Sequence, residues 1–214
     1  RAALLSGDYK TAILLHESLF NAIKSGRPYP INKDKLKNLI SLEYDLKAGF
    51  EFFDPTAGEA FKESIRKSLQ YNQSNYGALL KRAIIEFDHG NGDPRVALGT
   101  IGQAKQHANG YHWLYSKAFL HFWLEEYDNA LKCCEKLKEK SYAEEEITIR
   151  EVTKFNEDLL KKHNKPQLYY WLGFVNYVKG SNPSLADTYF QKFIEKTSDS
   201  MEDLTARAQS YLAN

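Results

Sequence analysis

The chain has 214 residues, 29 of them basic and 28 acidic, for a formal net charge of +1. That balance argues against a dedicated nucleic-acid binder, which carries a basic stripe, and no run of 18 apolar residues suggests a membrane span. Aromatic residues make up 14% of the chain, a share that packing or binding has to explain.

In chain order, breaks fall at 25–30 (SGRPYP), 89–94 (HGNGDP), 108–110 (ANG) and 179–183 (KGSNP). Asp54-Pro55, Asp93-Pro94 and Asn182-Pro183 each place a capping side chain before a proline at the first helical position. Ser141 with Glu144, and Ser200 with Asp203, read as capping boxes. No stretch alternates apolar and polar residues for long, so no strand is predicted. The punctuation predicts twelve helices, the first cut at Arg1.

Three phrases repeat along the chain. Tyr44, Lys47, Ala48, Glu51 and Phe52 match Leu79, Arg82, Ala83, Glu86 and Phe87, then Leu114, Lys117, Ala118, His121 and Phe122, at steps of 35 residues. A fourth copy puts Gly173 in the alanine slot, 55 residues after Ala118. The 20 additional residues match one inserted helix at 142–163. Small residues recur in the second helices, at Ala60, Ala97, Ala130 and Ala186. Ala12 opens a second helix whose partner would lie before Arg1. With Arg1 in place of Met, the expectation is a piece of a longer protein.

The copy at 169 (Tyr169, Leu172, Gly173, then Ala186, Phe190 and Phe193), the YDNAL turn near Ala130 and the GDYKTA stretch at 7–12 resemble the tetratricopeptide repeat. The resemblance implies an all-α fold, a right-handed α–α superhelix of stacked helical hairpins. Its divisions are a half repeat at 1–25, repeats near 36–71, 76–107 and 111–140, the inserted helix at 142–163, a repeat at 166–197 and a capping helix at 200–213. Polar residues at Lys47, Glu51, Arg82, Glu86, Lys117, His121 and Asn176 replace the Leu and Tyr usual in the family.

The resemblance also implies a concave groove lined by the first helices. Carried over, its lining is Leu80, Ile84 and Phe87, then His112, Tyr115, Phe119, Phe122 and Trp123, then Tyr170, Phe174 and Tyr177. These residues are expected to bind a peptide or partner segment, since contiguous exposed aromatics mark interfaces. The carboxylate clamp for acidic chaperone tails is not expected, because its Lys, Asn and Arg slots hold Asp45, Gly49, Leu80, Ile84, Tyr115, Phe119, Tyr170 and Phe174.

No catalytic constellation stands out. There is no glycine-rich phosphate loop, HExxH or GxSxG. His121 and Glu125 have ligand spacing but no third ligand nearby, so neither metal nor cofactor is expected. The two adjacent thiols, Cys133 and Cys134, suit a reducing, cytoplasmic compartment. The expectation is a non-enzymatic protein-interaction scaffold. Its rivals are a regulatory or sensor array serving an effector domain elsewhere, and single-stranded RNA binding by stacking on Tyr115, Phe119 and Tyr170.

Overall fold

The structure is a computed structural model that describes residues 9–25, 32–53, 59–88, 92–142, 145–180, 182–197 and 201–213. Among these residues it is all-α, with eleven α-helices and no strand. They are α1 (Tyr9–Lys24), α2 (Lys33–Phe53), α3 (Ala60–Tyr71), α4 (Tyr76–Asp88), α5 (Pro94–Gln106), α6 (His112–Trp123), α7 (Tyr127–Lys138), α8 (Glu145–Leu160), α9 (Gln167–Phe174), α10 (Pro183–Lys196) and α11 (Glu202–Leu212). The expected truncated first helix, and the capping pairs using Asp54, Glu144 and Ser200, lie outside the described residues. The expected repeat domain divides into two compact units, residues 1–109 and 110–214.

In the first unit α1 packs on α2, α2 pairs with α3, α3 meets α4, and α4 pairs with α5. This neighbour-to-neighbour order is that of an α–α repeat. Local signals start the helices. Asp93 accepts a hydrogen bond from the Arg95 amide at 2.8 Å, with Pro94 at the first helical position. Asn32 caps α2 by accepting from the Asp34 and Lys35 amides at 2.9 and 3.2 Å.

Asn75 has a wider role. Its Oδ1 accepts from the Ala78 amide at 3.1 Å, while its Nδ2 donates to Ser41 Oγ at 2.9 Å and Ser68 Oγ at 3.2 Å. Ser41 Oγ and Ser68 Oγ lie 3.1 Å apart, and each hydroxyl also reaches the other residue's carbonyl. All three residues are buried. One helix cap thus ties α2, α3 and α4 together through satisfied polar groups. Apolar packing supplements it in two clusters, Ile13–Leu36–Ile40–Tyr44 and Ala48–Phe61–Ile65.

In the second unit α6 pairs with α7 and α9 with α10, α6 lies against α9, and α11 packs on α10 and α9. The first helix of the last hairpin does not stay α-helical. Past Phe174 it widens into a π turn over Val175–Lys179. Asn176 Nδ2 donates to the Leu172 carbonyl at 2.9 Å, so the side chain satisfies an acceptor at the point where the helix changes form. Within the predicted 142–163 the inserted segment forms α8, Glu145–Leu160.

The alanine register is real packing. Ala48, Ala83 and Ala118 are 0%, 4% and 0% exposed. At Gly173 an added Cβ would lie 2.6 Å from the Phe190 ring, so only glycine fits without displacing that ring. The second-helix register needs one correction. Ala60 is exposed and Phe61 takes the buried slot, followed by buried Ser64, Ile65 and Ser68. The same spacing is buried at Ala97, Thr100, Ile101 and Ala104 in α5, and at Ala130, Cys133, Cys134 and Leu137 in α7. The residue's place in the helical turn decides the slot, and its smallness does not.

Candidate interaction surface

The repeated polar stripe is a seam inside two hairpins, α2–α3 and α4–α5. Lys47 Nζ donates to Glu51 Oε1 at 2.5 Å and to Ser64 Oγ at 2.9 Å, and Ser64 Oγ donates to Glu51 Oε2 at 2.6 Å. One repeat later Arg82 Nε donates to Glu86 Oε1 at 2.7 Å, and Thr100 Oγ1 donates to Glu86 Oε2 at 2.5 Å. In both copies the glutamate of the first helix takes a hydroxyl from the second helix. The third copy breaks the pattern. His121 is buried, and its Nδ1 meets Glu126 Oε2 at 2.8 Å across the turn. Glu125, the residue considered with His121 as a ligand pair, instead accepts from Lys165 Nζ at 2.8 Å. It sits at φ 62°, the left-handed cap that ends α6. No cluster of three metal-ligating side chains occurs among the described residues.

The expected groove residues fall in both units. In the first, Leu80 and Ile84 are half-buried and Phe87 is buried. In the second, Tyr115, Phe119, Phe122, Tyr170 and Phe174 are buried, while His112, Trp123 and Tyr177 are half-buried. The buried rings are not arranged as an open floor. Trp171 lies 6.2 Å from Tyr115, 5.7 Å from Phe122 and 6.0 Å from Phe174, centroid to centroid, at the junction of α6 and α9. Tyr170 meets Phe190 at 5.8 Å and Phe193 at 5.6 Å, on the α10 side. Tyr177 lies 5.1 Å from Tyr211, which stacks on Phe190 at 5.1 Å. His112 faces Tyr142 at 5.0 Å, and Trp123 packs between Phe119 and His163 at 6.1 and 5.1 Å.

Helix α8 closes the remaining face. Phe155 packs edge-on against Phe119 at 5.4 Å. Tyr115 Oη donates to Glu145 Oε1 at 2.9 Å, and Glu145 also pairs with Lys179 Nζ at 3.1 Å. Asn176 Nδ2 donates to Thr153 Oγ1 at 3.2 Å and Tyr189 Oη to Glu157 Oε1 at 2.5 Å. Burial pushes the Tyr115 phenol far above its ordinary value, and the Glu145 acceptor adds to that. The sequence predicted the rings and the inserted helix separately. Their meeting closes the open groove, and buried rings have no face left for stacked bases.

The apolar surface left open in the first unit was missed. On α2, Leu39, Leu42, Leu46 and Phe50 are 42%, 52%, 45% and 60% exposed. At intervals of 3, 4 and 4 they run along one side of the helix for about 16 Å. On α1, Leu14 and Leu15 are 64% and 62% exposed. The signal that could have found them is the leucine spacing itself, which the aromatic residues overshadowed.

Two further groups bear on chemistry. Glu43 is fully buried, with Oε1 2.6 Å from His16 Nδ1 and Oε2 without a hydrogen-bond partner. Burial pushes its carboxyl above the ordinary value, against the opposing pull of His16. Burial likewise raises the thiols of Cys133 and Cys134, which disfavours the nucleophilic thiolate. No helix among the described residues is long and apolar enough to cross a membrane. Compared with known proteins, the chain matches no family model, no curated protein and no solved structure.

Proposed function

We propose that this chain is a non-enzymatic protein-interaction module built from divergent tetratricopeptide-like hairpins, acting in a reducing compartment such as the cytoplasm. It engages a partner protein through the leucine face of α1 and α2, and the closed aromatic cluster of α6 and α9 serves as a rigid core. The observation that carries this reading is the run of half-exposed leucines at 39, 42 and 46, a continuous apolar stripe on a folded helix. The polar groups favour it as well. The Lys47–Glu51–Ser64 and Arg82–Glu86–Thr100 contacts are spent on holding helices together. The raised thiols are poor nucleophiles.

The test is affinity enrichment from extracts of the source cell, followed by reconstitution of each purified pair. A true partner binds the intact chain and loses at least about tenfold in affinity for a Leu42→Asp, Leu46→Asp variant. A partner that binds this variant as well as the native chain overturns the assignment of the face. Failure to reconstitute any pair overturns the interaction role.

A further inference from the structure

A cleft in the second unit gathers positive charge around the turn between α8 and α9. Lys161, Lys162 and Lys165 of that turn line it together with Lys196, the last residue of α10, around a volume of about 240 Å³. No acidic side chain lines it among the described residues. The whole chain carries a formal net charge of only +1, so four lysines in one cleft are a local concentration of charge.

The turn is held in place. The amides of Lys162 and His163 both donate to the Leu159 carbonyl, at 3.0 and 2.9 Å, and close the end of α8. The His163 ring packs on Trp123, and Lys165 Nζ donates to Glu125 Oε1 at 2.8 Å and to the Trp123 carbonyl at 3.4 Å. Two of the four lysines thus have an acid of their own, Lys165 with Glu125 and Lys161 with Asp158 at 2.7 Å. The other two, Lys162 and Lys196, are exposed, and neither makes a hydrogen bond or an ion pair among the described residues. The remaining acids nearby do not serve them. Glu157 takes the Tyr189 hydroxyl at 2.5 Å, and Glu195 lies outside the lining.

Both α8 and α10 end at this cleft, and the carbonyl end of a helix attracts a cation. That attraction accounts for a lysine at each end taken singly. It does not neutralise two ammonium groups brought to one cleft from two helices. Like charges repel, and a cleft lined by one sign of charge focuses its field and concentrates counter-ions. The side chains of Leu160 and Tyr169 form part of its wall, and Asn164 adds a polar amide to the lysine donors. We infer that this cleft binds a phosphate dianion, free or as a monoester, held between Lys162 and Lys196. A carboxylate would leave one ammonium group uncompensated. A phosphate group brings close to two charges at neutral pH and three strong acceptor oxygens. The inference does not rest on the leucine face, which belongs to the other unit.

The test is amide NMR of the intact chain, titrated at constant ionic strength and about pH 7.5, where the phosphate is dianionic. The probes are inorganic phosphate, a phosphoserine blocked at both ends, and acetate. Both phosphates give saturable shifts at Lys162, Asn164 and Lys196, and acetate binds at least about tenfold more weakly. The double variant Lys162→Gln, Lys196→Gln loses at least about tenfold in phosphate affinity at an unchanged melting temperature. Its control, Lys132→Gln with Lys136→Gln, removes the same charge from exposed positions on α7 and leaves the affinity as it was. Tighter binding of phosphoserine makes a phosphorylated side chain the source of the dianion, and equal or tighter binding of inorganic phosphate makes it the free anion. Shifts that never saturate, acetate binding as tight as phosphate, or equal losses in the two double variants each overturn the inference, because phosphate would then sense only the general charge of the surface.

Discussion

The two units fill the same hairpin plan with different chemistry. In residues 1–109 the helices are joined by small hydroxyls, a buried asparagine and short ion pairs, and leucines remain in solvent. In residues 110–214 the joints are rings: Trp171, Tyr115, Tyr170, Phe122, Phe174, Phe190 and Phe193 are all fully buried. An aromatic core gains its stability from area and shape. A polar seam fixes register and contributes less net stability per contact. The second unit buries its rings as a core, and the first unit leaves leucines at its surface.

The strongest way to break this comparison is to remove the centre of the ring cluster. Trp171→Ala costs about 3–5 kcal/mol, seen as a collapse of the near-ultraviolet circular dichroism and an early denaturant transition. A small loss would mean the cluster is not the core of its unit. Gly173→Ala follows, at about 1–3 kcal/mol, because the new methyl group meets the Phe190 ring. An unchanged melting temperature would show that α9 and α10 do not cross at that point. In the first unit Asn75→Ala leaves Ser41 and Ser68 short of a donor and uncaps α4, a loss of about 1–3 kcal/mol by far-ultraviolet circular dichroism.

Glu43 sharpens the contrast through pH. Its folded carboxyl titrates above the ordinary value of 4.5, so the folded state holds the proton more tightly than the unfolded chain. The resulting stabilisation is full below the ordinary value and is lost as pH rises through the raised one. Glu43→Gln, neutral throughout, flattens that part of the urea-midpoint profile and is at least as stable as the native chain at neutral pH. A Glu43→Gln protein that is less stable there would mean the charged pair with His16 outweighs burial. Smallest of all is Leu42→Asp, which changes the thermal midpoint little, within about 0.5 kcal/mol, because the side chain already faces water.

The repeat was legible because close helix crossings demand small residues, and Ala48, Ala83, Ala118 and Gly173 mark them at a regular step. Helix starts were legible at Asp93 and Asn182 for a local reason: the capping group lies within three residues of the amide it serves. What was not legible was which apolar side of a helix faces water. Helices α6 and α9 are apolar all round, so periodicity gives no face for Tyr115 or Phe174. The covering of α6 depends on α8, whose contacts at Tyr115 and Phe119 span about 30 residues or more of chain. The Ala60 slot slipped by one position because composition cannot replace the phase of the turn. The leucine face escaped notice because the carried-over groove slots on α2 are Asp45 and Gly49, and both meet α4.

The central claim is that the first unit offers an open leucine face while the second unit, Ile147 at 51% exposure apart, keeps its large apolar side chains covered or partly covered. Leucine methyl NMR of the intact chain with a soluble paramagnetic agent tests it directly. The account predicts strong relaxation enhancement at Leu15, Leu39, Leu42 and Leu46, and little at Leu114, Leu120 and Leu172, which are 3% exposed or less. Protection of Leu42 and Leu46 equal to that of Leu114 would show that the face is already covered, and would contradict the account.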